Sequence, residues 1–304
     1  MIFNLKTKQP EFLVKGDYVG FIAPAGRIAD EEADIAIKML RDAGFNVVVG
    51  MHVYDKYYQF AGQHNDRLLD FQYMLDAPEI KAIFIARGGY GCVHIAQNIN
   101  LKKMIKQPKW LIGYSDLTIF HSILLNHQIS SIHGTMGRNF YKPDGYKSFQ
   151  ELLSILYGQL PRYEVPSSEY NRYGETTGEL VGGNLSILYS LLATPFAIEY
   201  KNRVLFIEDV GESIYHVDRM MQTFKLSGVL AKIRGLVVGS FSEMKYSTNG
   251  FGLTIEEIVL DNVGGYNYPV LFNFPAGHVV ENSPLIIGKK VMLQVTNKGG
   301  VLKY

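Results

Sequence analysis

Short apolar runs alternate with longer amphipathic segments through the first half of the chain. Short runs bounded by glycine or polar residues are typical of buried strands, and we predict strands at residues 18–23, 47–49, 82–86 and 110–113. Apolar positions at three- and four-residue spacing predict helices, at residues 30–43, 64–75, 92–97 and 149–157, with another beginning at 117. This alternation favours a parallel sheet with helices on both faces, so the predicted fold class is α/β.

A polar segment separates this half from a less regular one. Residues 158–174 contain two prolines and are the predicted linker between an N-terminal domain, residues 1–157, and a C-terminal domain, residues 175–304. In the second domain we predict strands at residues 179–181, 204–207 and 236–238, and helices at residues 184–192, 213–224 and 254–263. Thr254 and Glu257 form a capping box for the last helix. Residues 269–304 are predicted to be β-rich, with short strands and glycine-rich turns.

The composition excludes several classes of protein. The chain has 304 residues, 47% of them hydrophobic and 19% charged, and a formal net charge of +1. These values are typical of a globular protein of two domains, and the lack of a basic block argues against nucleic acid as a partner. No apolar run approaches the roughly 18 residues of a membrane span, and the apolar stretch in residues 1–12 is too short for a signal peptide. Cys92 is the single cysteine, which fits a reducing compartment. We therefore expect a cytoplasmic protein with no membrane partner.

Ser115 lies where a predicted strand must turn into a helix. Residues 110–113 are apolar, and from Leu117 the apolar positions recur at helical spacing. A serine at this join has its hydroxyl at the carboxyl end of a strand and beside a helix N-terminus, as in a nucleophile elbow. The alternative is that Ser115 or Asp116 is an N-cap, since both residue types are preferred there. The G-x-S-x-G pattern is incomplete, because Leu117 takes the place of its last glycine.

A glycine-rich segment, Arg87-Gly88-Gly89-Tyr90-Gly91, follows the strand predicted at residues 82–86. Ligands of parallel sheets bind outside the carboxyl ends of the strands, and glycines there let a ligand approach backbone N–H groups closely. Neither G-x-G-x-x-G nor G-x-x-x-x-G-K-[ST] is present, so a nucleotide loop is poorly supported. The segment either supplies an oxyanion-hole N–H beside Ser115 or is a glycine turn that permits tight packing.

Cys92 is the rival nucleophile, because it lies near a predicted helix N-terminus that would lower its pKa. His94 is two positions away and points to a different side of the helix, so Cys92 has no well-placed base. The other interpretation of Cys92 is a small buried residue.

The histidines and acids suggest a base and its partner. The eight histidines show no metal-ligand spacing, so we expect neither a metal nor another cofactor. His133, at a predicted strand end, either lines a cleft or caps a loop. His278 ends the small-residue turn Phe274-Pro275-Ala276-Gly277 and is a general-base candidate. Glu208 follows the strand at residues 204–207 and is a candidate catalytic carboxylate, or else an acid at the N-terminus of the next helix. The order serine, carboxylate, histidine is compatible with a catalytic triad.

Five motifs together resemble the LD-carboxypeptidases, a group of serine peptidases that also contains the microcin-immunity peptidases. The motifs are Ala86-Arg87-Gly88-Gly89-Tyr90-Gly91, Gly113-Tyr114-Ser115-Asp116, Gly182-Gly183-Asn184-Leu185, Phe206-Ile207-Glu208-Asp209-Val210-Gly211-Glu212 and Gly277-His278. The resemblance implies a flavodoxin-like N-terminal domain, a smaller β-rich swivelling C-terminal domain and an active site between them. It also implies Ser115 as nucleophile, His278 as base and Glu208 as the residue that orients it. The implied oxyanion hole is formed by the backbone N–H groups of Asp116 and Gly89.

From this resemblance we expect a metal-free serine carboxypeptidase that removes the terminal D-alanine from a murein tetrapeptide, and a homodimer. Arg87 or the N–H groups near Gly88 are candidates for binding the terminal carboxylate. Further candidate substrate-binding residues are Asn184, Glu212 and Glu243. The two acids either bind the cationic amine of a diamino acid or are surface carboxylates.

Two alternatives remain open from the sequence. One is a peptidase that cleaves a peptide–nucleotide antibiotic, and the other is a non-catalytic module that binds muropeptides. The antibiotic-cleaving branch of the family carries an aromatic loop for a nucleobase. The single tryptophan of this chain, Trp110, is predicted to lie inside a strand instead.

Overall fold

The structure, a computed structural model, describes residues 7–246, 248 and 250–304. The chain divides into two compact units. The first unit consists of the chain up to Gln159 together with the later segment Val280–Ile286. The second unit consists of Leu160–Val279 and Ile287–Tyr304.

The first unit is built on a parallel sheet flanked in sequence by helices. Its strands are β1 (Tyr18–Ile22), β2 (Asn46–Val49), β3 (Ile80–Ile85), β4 (Trp110–Gly113) and β5 (Ser131–His133). Its helices are α1 (Asp30–Asp42), α2 (His64–Asp76), α3 (Cys92–Ala96), α4 (Lys102–Lys106), α5 (Thr118–Asn126) and α6 (Pro143–Leu156). The sheet order is β5-β4-β3-β1-β2, with the later strand Leu285–Ile287 beside β5. Neighbours among β1 to β5 are parallel, so the predicted flavodoxin-like order is confirmed.

The start of β4 is fixed by two buried side chains. Trp110 is fully buried, and its Nε1–H donates to the carbonyl of Glu11 at 2.9 Å. Lys109 is buried as well; its ammonium donates to the Met74 carbonyl at 2.9 Å and to the Ala77 carbonyl, at the end of α2. Burial lowers the pKa of Lys109 to about 8. These contacts hold the strand that leads to Ser115.

The second unit contains a mixed sheet of seven strands. Its strands are β6 (Arg162–Pro166), β7 (Gly174–Asn184), β8 (Val204–Val210), β9 (Gly235–Ser242), β10 (Val270–Leu271), β12 (Lys290–Thr296) and β13 (Gly299–Lys303), while β11 is the strand Leu285–Ile287 of the first sheet. Its helices are α7 (Leu185–Leu191), α8 (Ile214–Leu226), α9 (Val229–Lys232) and α10 (Ile255–Val263). The order is β10-β9-β8-β7-β12-β13-β6. Strands β10 to β7 pair in parallel, whereas β7, β12, β13 and β6 pair antiparallel.

Several elements extend beyond their predicted bounds. The helix predicted at residues 149–157 begins earlier, at Pro143, because proline is well suited to the first turn of a helix. The polar start of β7 was not predicted as strand, and it is held by antiparallel pairing with β12 rather than by apolar side chains. Strand β6 lies within the range predicted as a linker and pairs with β13. The capping box of Thr254 and Glu257 is confirmed.

Candidate active site

Ser115 is the first residue of a 3₁₀ turn, Ser115–Leu117, that joins β4 to α5. Its φ of 65° lies in the left-handed region, which for a residue with a side chain stores about 1–3 kcal/mol of strain. The N-cap positions of the turn and of α5 are Tyr114 and Leu117, so Ser115 does not occupy an N-cap position. A strained serine between a parallel strand and a helix is the backbone geometry of a nucleophile elbow.

His121 stabilises the strand end that carries this turn. It is buried in α5, and its Nε2 lies 2.9 Å from the Gly113 carbonyl while its Nδ1 lies 2.7 Å from the Ser131 hydroxyl. Since a carbonyl can only accept, the ring proton is assigned to Nε2 and the hydroxyl donates to Nδ1. Burial lowers the pKa of His121 to about 4. The ring is therefore neutral at neutral pH and ties β4 to β5.

The glycine-rich segment approaches Ser115 at contact distance. A Cβ on Gly88 would lie 3.0 Å from Ser115 Cβ and 3.3 Å from its Oγ, so a side chain at position 88 would press on the serine. Gly89 has a φ of 110°, which favours glycine. The Gly88 carbonyl accepts from the Gly26 N–H at 2.9 Å. Gly88 is thus held beside the serine, and a Cβ on Gly89 would instead lie 3.4 Å from the Cα of Gly26.

Cys92 is buried behind this segment. Its backbone N–H donates to Asp116 Oδ2 at 2.8 Å. Burial, followed by the charge of Asp116, raises the pKa of the Cys92 thiol well above its usual value. A thiolate is disfavoured in this position, which argues for the interpretation of Cys92 as a small buried residue.

Glu208 and His278 form a hydrogen-bonded pair in the second unit, with Glu208 buried and His278 half-buried. Glu208 has no solvent exposure, and its Oε2 accepts from His278 Nδ1 at 2.7 Å and from the His278 backbone N–H at 3.2 Å. Gly277 makes this contact possible, because a Cβ there would lie 2.8 Å from Glu208 Oε2. The bond assigns the proton of neutral His278 to Nδ1, so Nε2 is its basic nitrogen.

The Glu208 charge controls the protonation of His278. Burial alone would lower the pKa of His278, but the hydrogen bond and the charge of Glu208 outweigh it and raise the pKa above 6.5. The charges of Asp209 and Glu243 act in the same direction.

The sequence prediction that the strand ends before Glu208 is wrong. Strand β8 continues to Val210, because it pairs with β9 beyond a register shift between Ile207 and Asp209. Parallel pairing on both sides, with β7 and β9, keeps the two acidic residues within the strand. Glu208 is consequently not an acid at the N-terminus of the next helix.

Asp209 caps the start of α7. Its carboxylate accepts from the Asn184 amide, the Ser186 N–H and the Val210 N–H, each at 2.9 Å. Burial is the main cause that raises the pKa of Asp209 to about 6, and the charge of Glu208 adds to it. Asn184 is the N-cap of α7 and accepts from the Ile187 N–H. The Asn184 side chain therefore takes part in capping, and its role in substrate binding stays a prediction.

The other predicted substrate-binding side chains, Arg87, Glu212 and Glu243, have different surroundings. Arg87 is half-buried, and its Nη1 donates to the Arg27 carbonyl at 2.8 Å. Glu212 lies 2.5 Å from Nδ1 of His216, one helical turn later. Glu243 is exposed and has a left-handed φ of 54°.

Three residues with a part in this geometry were not assigned a role by sequence reasoning. Arg67 and His121 are buried at 1% relative exposure each, and Arg138 donates its backbone N–H to the Ala86 carbonyl at 3.0 Å. Arg67 is detectable in principle, because it is a charged residue on the helical face that also carries Phe71 and Met74. For His121 and Arg138, no comparable sequence pattern indicates a structural role.

The described part of the chain has neither a metal-binding cluster nor a membrane-spanning helix. Over residues 7–246, 248 and 250–304, no group of three or more histidine, cysteine or acidic side chains has an arrangement that could hold a metal ion. Within the same ranges, no helix has the length and apolar character needed to cross a membrane.

Known proteins match the chain over nearly its whole length. The LD-carboxypeptidase N-terminal domain matches residues 19–134, and the LD-carboxypeptidase C-terminal domain matches residues 177–293. A probable murein peptide carboxypeptidase of Bacillus subtilis strain 168 is 33% identical over 308 residues, covering 99% of this chain and 96% of the relative.

Solved structures show the same architecture. The muramoyltetrapeptide carboxypeptidase from Oxalobacter formigenes has a TM-score of 0.86 at 27% identity, covering 94% of this chain and 97% of that one. The microcin C7 self-immunity protein MccF shares the fold, with a TM-score of 0.85 at 21% identity over 97% of this chain and 98% of that one.

The two sheets and the matched domains define a peptidase of two α/β domains. The chain belongs to the LD-carboxypeptidase family, which confirms the resemblance found in its motifs.

The Glu208–His278 bond predicts a measurable effect on titration. In Glu208→Gln the charge is removed and burial of His278 is retained, so the His278 pKa should fall from above 6.5 in the wild type to a lower value. The measurement is an NMR titration of the histidine ring protons in both proteins. His121 is the internal control, since its pKa of about 4 depends on burial in the first unit. An unchanged His278 pKa would show that Glu208 does not set it.

Proposed function

We propose that the protein is a serine carboxypeptidase that releases the terminal D-alanine from a murein tetrapeptide. Ser115 is the nucleophile, His278 the general base and Glu208 the residue that orients His278. The observation that carries the proposal is the strained conformation of Ser115 at a strand–helix turn packed against Gly88. The Glu208–His278 bond supports it, because it leaves Nε2 of the imidazole to act as the base.

The reaction proceeds through an ester on Ser115. His278 Nε2 accepts the hydroxyl proton while Oγ attacks the carbonyl carbon before the terminal residue. The backbone N–H groups of Asp116 and Gly89 donate to the oxygen as it becomes negative. The imidazolium protonates the leaving amine, D-alanine departs, and water activated by the same nitrogen hydrolyses the ester. Because the base must be neutral, kcat/KM rises with pH through the His278 pKa.

Arginines near the glycine-rich segment support recognition of a free carboxylate. Arg87 precedes Gly88, and its guanidinium donates to the Arg27 carbonyl. Burial, followed by the charge of Arg138, lowers the pKa of Arg87, and the charge of Arg27 acts in the same direction while that of Glu32 opposes it. Neighbouring cations that repel one another are favourable surroundings for an anion. We assign the terminal carboxylate of the substrate to Arg87 and to the N–H groups near Gly88.

Two acids are the proposed partners of the diamino acid. Glu243 is exposed, and its charge reaches His278. Glu212 is half-buried against His216. A carboxylate near the catalytic base would attract the cationic amine of diaminopimelate or lysine at the third position of the substrate.

The single cysteine supports a reducing compartment, and we propose that the reaction belongs to peptidoglycan recycling in the cytoplasm. A homodimer is proposed from the family resemblance.

Replacement of the nucleophile gives the first test of mechanism. Ser115→Ala should fold, since alanine keeps the Cβ, and should lose several orders of magnitude in kcat, as for other catalytic triads. D-alanine release from the tetrapeptide is the assay, and thermal unfolding verifies the fold. Cys92→Ala is the matched control and should retain turnover, because its thiol is buried and protonated. Loss of turnover in Cys92→Ala with retention in Ser115→Ala would reverse the assignment.

A pair of substrates tests the substrate class. The wild type should release D-alanine from L-Ala-γ-D-Glu-diaminopimelate-D-Ala or its lysine analogue and leave an aminoacyl-nucleotide intact. The physical reason is that Trp110 is fully buried and cannot stack on a nucleobase. Mass spectrometry of products from the wild type and Ser115→Ala is the measurement. Cleavage of the nucleotide conjugate with the tetrapeptide untouched would assign the protein to antibiotic detoxification. Binding of the tetrapeptide without cleavage of either substrate would favour the non-catalytic module.

Carboxylate recognition by Arg87 has its own test. Arg87→Met should raise KM for the tetrapeptide by about ten- to one-hundred-fold, the value of a hydrogen bond to a charged group, with a smaller effect on kcat. For the wild type, KM should already be high on the same peptide with a C-terminal carboxamide, because the charged carboxylate is absent. On that amide peptide, Arg87→Met should raise KM little further. Arg162→Met is the control, because Arg162 lies in an exposed ion pair with Glu164. Equal effects on the acid and amide peptides would exclude Arg87 as the carboxylate ligand.

A further inference from the structure

A buried carboxylate connects the Ser115 turn to the glycine-rich segment. Asp116 is 1% exposed, and its Oδ2 accepts from the Cys92 N–H at 2.8 Å. Burial raises the pKa of Asp116, whereas the N–H groups of Cys92 and Gly91 and the charge of Arg67 favour its charged form. The Asp116 side chain is therefore bonded to the C-terminal end of the glycine-rich segment, where α3 begins.

Arg67 holds the same end of the glycine-rich segment by donating to the Gly91 carbonyl. The Arg67 side chain is 1% exposed, and its Nη1 donates to the carbonyls of Gly91 at 3.0 Å and Pro24 at 2.7 Å. Gly91 has a φ of 141°, and a Cβ there would lie 2.4 Å from Arg67 Nη1. The guanidinium thus occupies the space that a side chain at position 91 would need.

The other end of the segment is anchored independently. The Gly88 carbonyl accepts from the Gly26 N–H, and a Cβ on Gly88 would lie 3.0 Å from Ser115 Cβ. Gly89 lies between these two anchors, with its φ of 110°. The backbone at Gly89 therefore runs between two anchored positions, Gly88 and Gly91.

We propose that the Asp116 carboxylate is a positioning residue for the oxyanion hole. This inference rests on the proposed function, in which the N–H groups of Gly89 and Asp116 stabilise the oxyanion. Asp116 supplies one of these donors from its backbone, and its side chain fixes the segment that carries the other. Loss of the carboxylate removes the acceptor of the Cys92 N–H and leaves this end held by Arg67 alone, so the Gly89 N–H shifts from its position. A donor that acts on the transition state affects kcat rather than KM.

The test compares Asp116→Ala and Asp116→Asn with the wild type. We expect Asp116→Ala to lower kcat about 10²-fold with little change in KM, as on loss of one oxyanion donor. Asp116→Asn keeps an acceptor for the Cys92 N–H but not the charge, and should recover part of kcat. The second readout is the rate at which a small alkyl fluorophosphonate labels Ser115, followed by mass spectrometry. Its phosphoryl oxygen requires the same donors and no peptide recognition, so labelling should slow in proportion to kcat.

Asp70→Ala is the matched control. Asp70 is another buried carboxylate of the first unit, and it accepts from the N–H groups of Met51 at 3.1 Å and His52 at 2.9 Å. Its loss should lower Tm but leave kcat and labelling unchanged. If Asp116→Ala does not fold, Asp116→Asn decides the question by the same two readouts.

Two outcomes would overturn the inference. One is wild-type kcat and labelling in folded Asp116 variants, and the other is an equal loss of both in Asp70→Ala. A wild-type protein that neither cleaves the tetrapeptide nor is labelled would count against the proposed function itself.

Discussion

Burial of negative charge is the constraint on which the candidate site depends. Asp116, Glu208 and Asp209 have relative exposures of 1%, 0% and 1%, and removal of a carboxylate from water costs several kcal/mol unless donors replace the solvent. The donors come from distant parts of the chain. The Cys92 N–H serves Asp116, and the ring and backbone of His278 serve Glu208. Within each unit, a buried carboxylate therefore fixes a loop to a strand or to the turn that follows one.

The fold was predictable where a local pattern decides the structure. Strand β4 was predicted at residues 110–113 and observed at Trp110–Gly113, because an apolar run of this length bounded by glycine is too short for a typical helix and fits a buried strand. The parallel pairing of the first sheet followed from the alternation of strands and helices, and its flavodoxin-like order from the family resemblance. The polar half of β7 gave no such signal: its residues become a strand only because β12, more than 100 positions later, supplies the hydrogen bonds. Propensity carries no information about a partner so far away in sequence.

The sequence predicted the individual residues of the candidate site but not the contacts between them. A change of period from strand to helix marks Ser115, and glycines after a strand mark the segment at Gly88. Their contact depends on β3 and β4 being parallel neighbours, with Phe84 opposite Ile112, so that both carboxyl ends emerge side by side. Nothing local in the sequence reports that register. The hydrogen bond between Glu208 and His278 joins residues 70 positions apart. Their spacing in the sequence does not predict this contact, and only the resemblance to the family implied that the two residues act together.

The strand β11 has a consequence for the synthesis of this protein. It completes one edge of the first sheet beside β5, yet it is encoded after nearly all of the second unit. While the chain emerges from the ribosome, β5 therefore remains an open edge, with unpaired backbone groups on one side, until the segment Val280–Ile286 has been made. Open edges are sites of non-native pairing. The nascent chain is therefore expected to expose this edge until the late segment is synthesised, and a cut at Gln159 would leave the first unit without β11.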